Sequence, residues 1–325
     1  SPMRVLPFAP ANPAPAPAQR RVMIIANPAA GSLKQRRLNR TLLGLEKLGC
    51  TVGLRETAKP GDATLMAREA ALAGNVDVVV AAGGDGTINE VANGLAGSGV
   101  ALGVIPLGTA NVLAIEAGIP RDPGKAAQVI ATGVLRKLYL GEVRASAETP
   151  LAGPRRFVMM AGAGFDAHVV DTVDLALKRK TGKLAYVWCT VQRAFSYDFP
   201  LCAVDIDTPD GRTIHADVAT AVVCNGKYYG GPFIAAPLAD ISHPTFQVIL
   251  LKSPGLRHVA RYALALAMGR LPRLPDVEII EATRVRIALQ GAQPLQADGD
   301  TVAHMPVDIV MAAEPVSLIV PAPAA

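Results

Sequence analysis

The stretch Val76–Val91, VDVVVAAGGDGTINEV, limits what this chain can fold into more than any other. Val78 to Ala82 is a short unbroken apolar run, the pattern of a strand covered on both faces. Gly83 and Gly84 break the strand. Without side chains they let the backbone take φ > 0 and approach a ligand closely. Asp85 stands at the tip. Gly86 and Thr87 lead into a helix whose first N–H groups lack partners within the helix and favour an anion. The stretch predicts a phosphate beside the turn, with Asp85 facing it or its metal.

The same grammar surrounds it. Arg21 to Ala26 is a first buried strand, followed by Asn27-Pro28-Ala29-Ala30-Gly31-Ser32. A helix over about Lys34 to Leu48 shows Leu38, Leu42, Leu45 and Leu48 on one face. Thr51 to Thr57 is a second strand, and Pro60-Gly61-Asp62 starts a helix through about Ala73. After the glycine turn comes a helix bearing Ile88, Val91 and Leu95, then a strand from Val100 to Ile105 ending in Pro106-Leu107-Gly108-Thr109-Ala110-Asn111. Four strand–loop–helix units imply a mostly parallel, doubly wound α/β sheet with right-handed crossovers. Such sheets bind ligands beyond the carboxyl ends of their strands. Three polar, glycine-bearing loops fall there, and a shared site explains them better than three unrelated tight turns.

From about Lys137 strand-like runs become more frequent: Leu138–Val143, Phe157–Ala161, Leu201–Ile206, Thr213–Val223, Phe246–Leu251, Val277–Ile280 and Val285–Leu289. Asp210-Gly211 is a hairpin signal. A second, β-rich domain follows, antiparallel and sandwich-like. The expected division is a Pro/Ala-rich flexible tail over 1–20, an α/β domain over 21–138, a β-rich domain over 139–305, and a segment 306–325 whose run Val316–Val320 returns to one of the sheets. Two helices are expected within the second domain, over Asp171–Tyr197 and Gly255–Arg270. Both mix cations with apolar residues, so each suits either a core helix with a solvated basic face or a helix lying on an anionic membrane.

Composition excludes several classes. Aromatics are 4% of the chain, too few for base-stacking platforms, and the net charge of +5 fits an anionic small molecule or membrane surface without demanding nucleic acid. Cys50, Cys189, Cys202 and Cys224 form no CxxC pair, which suits reduced thiols in a cytoplasmic protein. No apolar run approaches the ~20 residues of a spanning helix. Gly162 to Ala167, GAGFDA, matches the dinucleotide fingerprint, but the acid expected about 20 residues on is replaced by the basic KRKTGKLAYVW. Gly182-Lys183 is followed by Leu184, so there is no P-loop, and GxSxG is absent.

Taken together, NPAAG, GGDGTINEV, PLGTANVLA, GAGFDAHVV (162–170), NGKYYGGPFIAAP (225–237) and ADGD (297–300) resemble the diacylglycerol kinase catalytic family, which includes bacterial lipid kinases and the sphingosine and ceramide kinases. GGDGT alone is shared with NAD kinases; the later motifs favour lipid kinases. The resemblance spans about residues 21–321 and implies a nucleotide-binding α/β domain and a β-rich domain with the active site between them.

It implies an ATP site lined by Asn27, Pro28, Gly31, Thr57, Gly83, Gly84, Asp85, Gly86, Thr87, Asn89, Gly108 and Thr109, with Glu90 supporting the glycine loop. Asp85 would hold Mg²⁺ or polarise the attacking hydroxyl. A phosphate cradle with carboxylates suits phosphoryl transfer, which is mostly positioning and charge neutralisation. Two departures stand out. The family's Asp-Gly-Glu reads Asp298-Gly299-Asp300 here, so Asp300 is the expected base, one methylene shorter. The family's Asp-Gly after the AP segment reads His243-Pro244, so Asp240 is the nearest substitute metal ligand.

The expected activity is ATP- and Mg²⁺-dependent transfer of a γ-phosphate to a hydroxyl of a diacylglycerol-like or ceramide/sphingoid lipid. The acceptor's chain would enter an apolar cleft in the β-rich domain. The expected partners are that lipid and a peripheral membrane surface, with no nucleic acid and with a homodimer left open. A soluble-acceptor kinase resembling NAD kinase, and a non-catalytic lipid- or nucleotide-binding protein, are the alternatives.

Overall fold

The computed structural model describes residues 20–28, 32–145, 155–165, 167–168, 197–289 and 293–323. Gly31 and all but the last residue of the expected helix 171–197 lie outside them.

The first sheet contains β1 (Arg21–Ala26), β2 (Thr51–Glu56), β3 (Val78–Gly83), β4 (Ala101–Pro106), β5 (Val134–Leu138) and the chain's last strand, β20 (Val316–Val320). The order is β2-β1-β3-β4-β20-β5. β2, β1, β3, β4 and β20 are parallel, while β5 runs antiparallel to β20. Helices cover both faces, as a doubly wound sheet requires. Val78, Val80 and Ala82 meet α1 (Ser32–Lys47) and α5 (Pro123–Thr132), whereas Val79 and Ala81 meet α2 (Asp62–Ala73), α3 (Asp85–Leu95) and α4 (Val112–Glu116). Alternate side chains along β3 therefore enter opposite cores, which is why the strand is apolar throughout.

The second domain is a sandwich of two antiparallel sheets. One contains β6 (Gly141–Ala145), β7 (Arg155–Phe157), β9 (Cys202–Asp207), β10 (Thr213–Val218), β16 (Arg284–Ala288) and β19 (Val307–Met311), in the order β10-β9-β16-β19-β6-β7. The other contains β8 (Met160–Gly164), β11 (Thr220–Cys224), β14 (Phe246–Leu251), β15 (Val277–Ala282), β17 (Pro294–Ala297) and β18 (Asp300–His304), in the order β15-β14-β11-β8-β17-β18. Phe157, Val204 and Ile287 of one sheet share a core with Val223, Phe246 and Leu295 of the other. Outside the second sheet lie the ribbon β12 (Tyr228–Tyr229) and β13 (Phe233–Ile234), the helix α6 (Leu256–Ala267) and a 3₁₀ turn, Leu271–Arg273. Val222, Ile249, Tyr262, Ala265 and Leu271 form the core of this outer layer. Among the described residues no helix is long and apolar enough to cross a membrane.

Three expectations shift. The run Thr213–Val223 is not one strand: β10 and β11 belong to different sheets, because β10 is an edge strand with one buried face and β11 is buried on both. The run Leu138–Val143 is divided between the domains, Leu138 ending β5 and Gly141 opening β6. A Cβ at Gly141 would fall 2.1 Å from the Phe157 ring, so the crossing needs glycine. Of the segment 306–325, Val307–Met311 stays in the sandwich, because its alternate residues Val307 and Ile309 fill that core, and Val316–Val320 enters the first sheet.

Candidate active site

The carboxyl ends of β2, β1, β3 and β4 lie side by side and are stitched together by backbone bonds. Thr57 N donates to Ala26 O at 2.9 Å, Asn27 N to Ala82 O at 3.2 Å and Leu107 N to Gly83 O at 2.9 Å. This places Asn27, Pro28, Thr57, Gly83, Gly84, Gly108 and Thr109 along one edge. The glycines are demanded by contact. A Cβ at Gly108 would lie 2.5 Å from Gly84 Cα, and one at Gly83 would lie 2.4 Å from Thr87 Oγ1, whereas Gly86 faces open space. Helix α3 begins at Gly84 without a side-chain cap, so the N–H groups of its first turn are not closed off by a side chain. That arrangement fits an anion of phosphate size.

Asp85, the first residue of α3, turns its carboxylate sideways. Asn111 N donates to Oδ2 at 3.0 Å and Val112 N to Oδ1 at 2.6 Å. The acid thus clamps the glycine loop to the loop after β4, which Asn111 completes. Asn111 is fully buried, takes φ 53°, accepts from Gly108 N at 2.9 Å and donates to Gly108 O at 2.7 Å. Arg121 donates to Thr109 O and Ala110 O, fastening the loop from outside.

The second domain contributes the hairpin of β17 and β18. Ala297 pairs with Asp300, and both turn residues have positive φ, 48° at Asp298 and 88° at Gly299, as two-residue hairpin turns require. The turn is more than a reversal of the chain. Asp298 accepts from the backbone N–H groups of Val158 at 2.6 Å, Met159 at 2.9 Å and Met160 at 3.1 Å. It also accepts from Asn89 Nδ2, on α3 of the other domain, at 2.7 Å. Burial pushes the Asp298 carboxyl above its ordinary pKa, against the four N–H donors that favour its charged form. Asp300 follows two residues later, exposed, on a hairpin held to the same helix that Asp85 begins.

Glu90, expected to support the glycine loop, is bonded to the start of α2. Its Oε2 accepts from Ala63 N at 3.1 Å at the start of α2, a helix whose cap position is Gly61 and offers no side chain. Asp240, expected as a metal ligand, is engaged by a cation and a backbone N–H. It pairs with Arg136 at 2.5 Å and His243 at 3.1 Å and accepts from Ser242 N at 2.9 Å. Despite burial, which opposes it, the Ser242 N–H and the Arg136 guanidinium hold its carboxyl below the ordinary range. Asp240 shares no hydrogen-bond partner with Asp85. Among the described residues no three His, Cys, Asp or Glu side chains gather as a metal site. A metal held jointly by Asp85 and Asp240 does not fit these residues.

A cavity of about 390 Å³ opens between the outer face of the second sheet and α6. Thr220 and Val222 of β11, Ile249 and Leu251 of β14, and Val259 and Leu266 of α6 are among its walls. Phe165 and Phe199, stacked with centroids 5.4 Å apart, form one end. The GAG run, which resembles a dinucleotide turn, lies instead inside β8. A Cβ at Gly164, at φ 95°, would fall 2.4 Å from Ala219 O, just before the neighbouring strand β11, so the glycine serves strand packing.

The chain matches the sequence model of the diacylglycerol kinase catalytic domain over residues 21–143, and that of the YegS C-terminal NAD kinase beta sandwich-like domain over 159–321. This chain belongs to the diacylglycerol kinase family of lipid kinases. It is 32% identical over 308 residues to the diacylglycerol kinase of Bacillus subtilis, covering 93% of this chain and 97% of that one. It is 33% identical over 257 residues to the Pseudomonas putida protein named "Probable lipid kinase YegS-like", covering 78% of this chain and 82% of that one. The fold matches a diacylglycerol kinase from Bacillus anthracis with a TM-score of 0.70, at 24% identity, over 93% of this chain and 98% of that one. The kinase is thus a phosphotransferase with a hydroxyl acceptor, and its two domains are those of its family.

Four features of the kinase escaped the sequence reading: the Asp298 junction, the Asn111 loop brace, the cavity walls and Glu116. Glu116, on α4, accepts from Lys227 N of the second domain at 2.8 Å, and burial raises its pKa. Asn111, Asp298 and Lys227 all sit inside motifs already visible, so the available signal was motif membership without a role attached.

Proposed function

We propose that this kinase transfers the γ-phosphate of ATP to a hydroxyl of a diacylglycerol-like or ceramide/sphingoid lipid. The observation that carries this reading is the pairing of two features: the glycine-lined edge at the start of α3, and a hairpin from the other domain whose Asp298 is bonded to Asn89 of the same helix. The nucleotide's phosphates would lie along Gly83, Gly84, Gly86 and Thr87, near the N–H groups that start α3, with Asn27, Pro28, Thr57, Asn89, Gly108 and Thr109 on the flanks. Asp85 would act through the loops it clamps. Asp300 would take the acceptor's proton as the acceptor oxygen bonds to the γ-phosphorus and the bond to the β-phosphate oxygen breaks, releasing ADP. Mg²⁺ would arrive on the nucleotide's own phosphates, since Asp240 is committed to Arg136.

The apolar cavity supports a lipid over a soluble acceptor, because its walls offer little to a polar molecule and much to an acyl chain. Each buried CH₂ of such a chain contributes about 0.8 kcal/mol. The deciding experiment incubates the protein with labelled ATP, Mg²⁺ and a panel of diacylglycerol, ceramide, sphingosine, phosphatidylglycerol and NAD. Labelled lipid supports the reading. Labelled NADP without labelled lipid, or nucleotide binding without any product, overturns it.

A further inference from the structure

Helix α6 gathers its polar residues, Arg257, His258 and Arg261, on one side and is apolar around the rest of its circumference. Tyr262 and Ala265 pack inward, while Val259 and Leu266 line the cavity. The outward side carries Ala260, Ala263, Leu264 and Ala267, all exposed, and Met268 follows directly; Leu264 is 59% and Met268 53% exposed. A surface helix normally turns polar residues to water, and an apolar stripe left exposed marks an interaction surface. The adjoining β13 adds Phe233 and Ile234, each 41% exposed. Ala263 belongs both to this outward stripe and to the cavity wall, so apolar surface runs unbroken from outside into the cavity.

The charges around the stripe are of one sign. No acid occurs in α6, whereas Arg257 and Arg261 lie on it and Arg270 and Arg273 just beyond it. The nearest acids are already engaged: Asp276 with Arg261 and Tyr262, Glu278 with Lys252. The surface therefore presents net positive charge beside exposed leucine, methionine and phenylalanine.

We propose that this face of α6 and β13 docks on an anionic lipid bilayer, a proposal that rests on the lipid-acceptor reading and names the surface through which the acceptor arrives. Leu264, Met268, Phe233 and Ile234 enter the boundary between headgroups and acyl chains, while Arg257, Arg270 and Arg273 meet lipid phosphates. An acceptor leaving the leaflet then slides along Ala263 into the cavity without exposing its chain to water.

The test uses the full chain and two variants, L264D/M268D and R257E/R270E, pelleted with vesicles of phosphatidylcholine alone or mixed with phosphatidylglycerol. None of the four residues is assigned to the catalytic site. Wild type should pellet with the mixed vesicles, less so as salt rises. L264D/M268D should bind at least about 10-fold more weakly, and R257E/R270E about 10-fold more weakly on mixed vesicles only. Melting temperatures should stay within about 2 °C of wild type, because the substituted positions are exposed. In parallel, activity is read on short-chain diacylglycerol and ceramide dispersed in detergent and on long-chain forms embedded in mixed vesicles. Both variants should match wild type on the dispersed acceptors and lose activity on the embedded ones. Wild-type pelleting by both variants, or pelleting indifferent to anionic lipid and salt, overturns the docking surface. Pelleting as expected with no lipid phosphorylated in either form overturns the acceptor reading and leaves the surface standing.

Discussion

Replacing Asn89 by alanine tests whether the two domains are joined through Asp298. The Asn89 amide donates to the Asp298 carboxylate at 2.7 Å and to Arg156 O at 3.3 Å, and the remaining donors to Asp298 are three backbone N–H groups of its own domain. A hydrogen bond to a charged group stabilises by about 1.5–3 kcal/mol. At about 2–4 °C per kcal/mol for a chain of this size, Asn89→Ala should lower the melting temperature by about 3–12 °C. Asp298→Asn should cost at least as much, because its NH₂ must face N–H donors on one side or the other. In the double variant the two losses should fall short of their sum by about 1.5–3 kcal/mol, since both remove the same bond. Turnover gives the functional half. With the hairpin loosened, Asp300 is displaced, and kcat should drop about 10-fold in both variants, while ATP affinity, measured by titration calorimetry, holds in Asp298→Asn, which removes no nucleotide-binding group. Additive stability losses within about 0.5 kcal/mol would refute the junction. An unchanged kcat in Asn89→Ala would refute its service to Asp300.

Further predictions concern the parts separately. Asp300→Ala should reduce kcat by at least about 100-fold with little change in melting, since the residue is exposed at the start of β18, and full activity would remove it as the base. Gly108→Ala drives a methyl into Gly84 Cα and should cost about 1–3 kcal/mol and abolish nucleotide binding by calorimetry. Ile249→Trp fills the cavity and should raise KM for long-chain acceptors while sparing short-chain ones; equal effects on both would remove the cavity from the acceptor path. Despite the burial that opposes it, bonds from Ser253, Tyr262 and Arg261 lower the Asp276 carboxyl from 3.8 to about 2. Its contribution to stability is therefore complete above about pH 4 and disappears as pH falls through about 2. Melting scans across that window should be flatter for Asp276→Asn than for wild type.

The first domain was legible because burial on two faces leaves a mark that sequence carries: Val78–Ala82 is apolar without interruption, and the turns after β1, β3 and β4 hold glycine or asparagine where backbone approaches backbone. The motifs located the site, but not the work of each residue. Asp240 stands three positions from the expected metal ligand, yet its partner Arg136 is a hundred residues earlier, on a strand edge that no local pattern connects to it. Glu90 lies one turn along α3 from Gly86, but α2 begins with a glycine cap and draws the carboxylate the other way. The division of 213–223 between two sheets was hidden because an edge strand and a central strand joined by one residue read as a single apolar run. The cavity had no signature, since its walls come from separate strands and two phenylalanines contributing one or two side chains each, closed by four side chains of a helix.

Asp298 shows why the last motif resists reading as either structure or chemistry alone. A hairpin turn needs two residues at positive φ, and Asp-Gly satisfies that anywhere. Here the aspartate also fastens the turn, and with it the hairpin that carries Asp300, to the 158–160 backbone and to Asn89 of α3. Asp85 does the corresponding task on the other side, holding the loop after β4 to the start of α3. Both acids spend their oxygens on backbone N–H groups, and each fixes the position of a segment of the site. The chain then closes the arrangement by sending β20 back between β4 and β5, so the sandwich is tied to the first sheet by covalent crossings on both sides of it. The base proposed at position 300, one methylene shorter than a glutamate, depends on the hairpin bearing it being held to α3. The Asp298–Asn89 hydrogen bond, at 2.7 Å, supplies that hold across the domains.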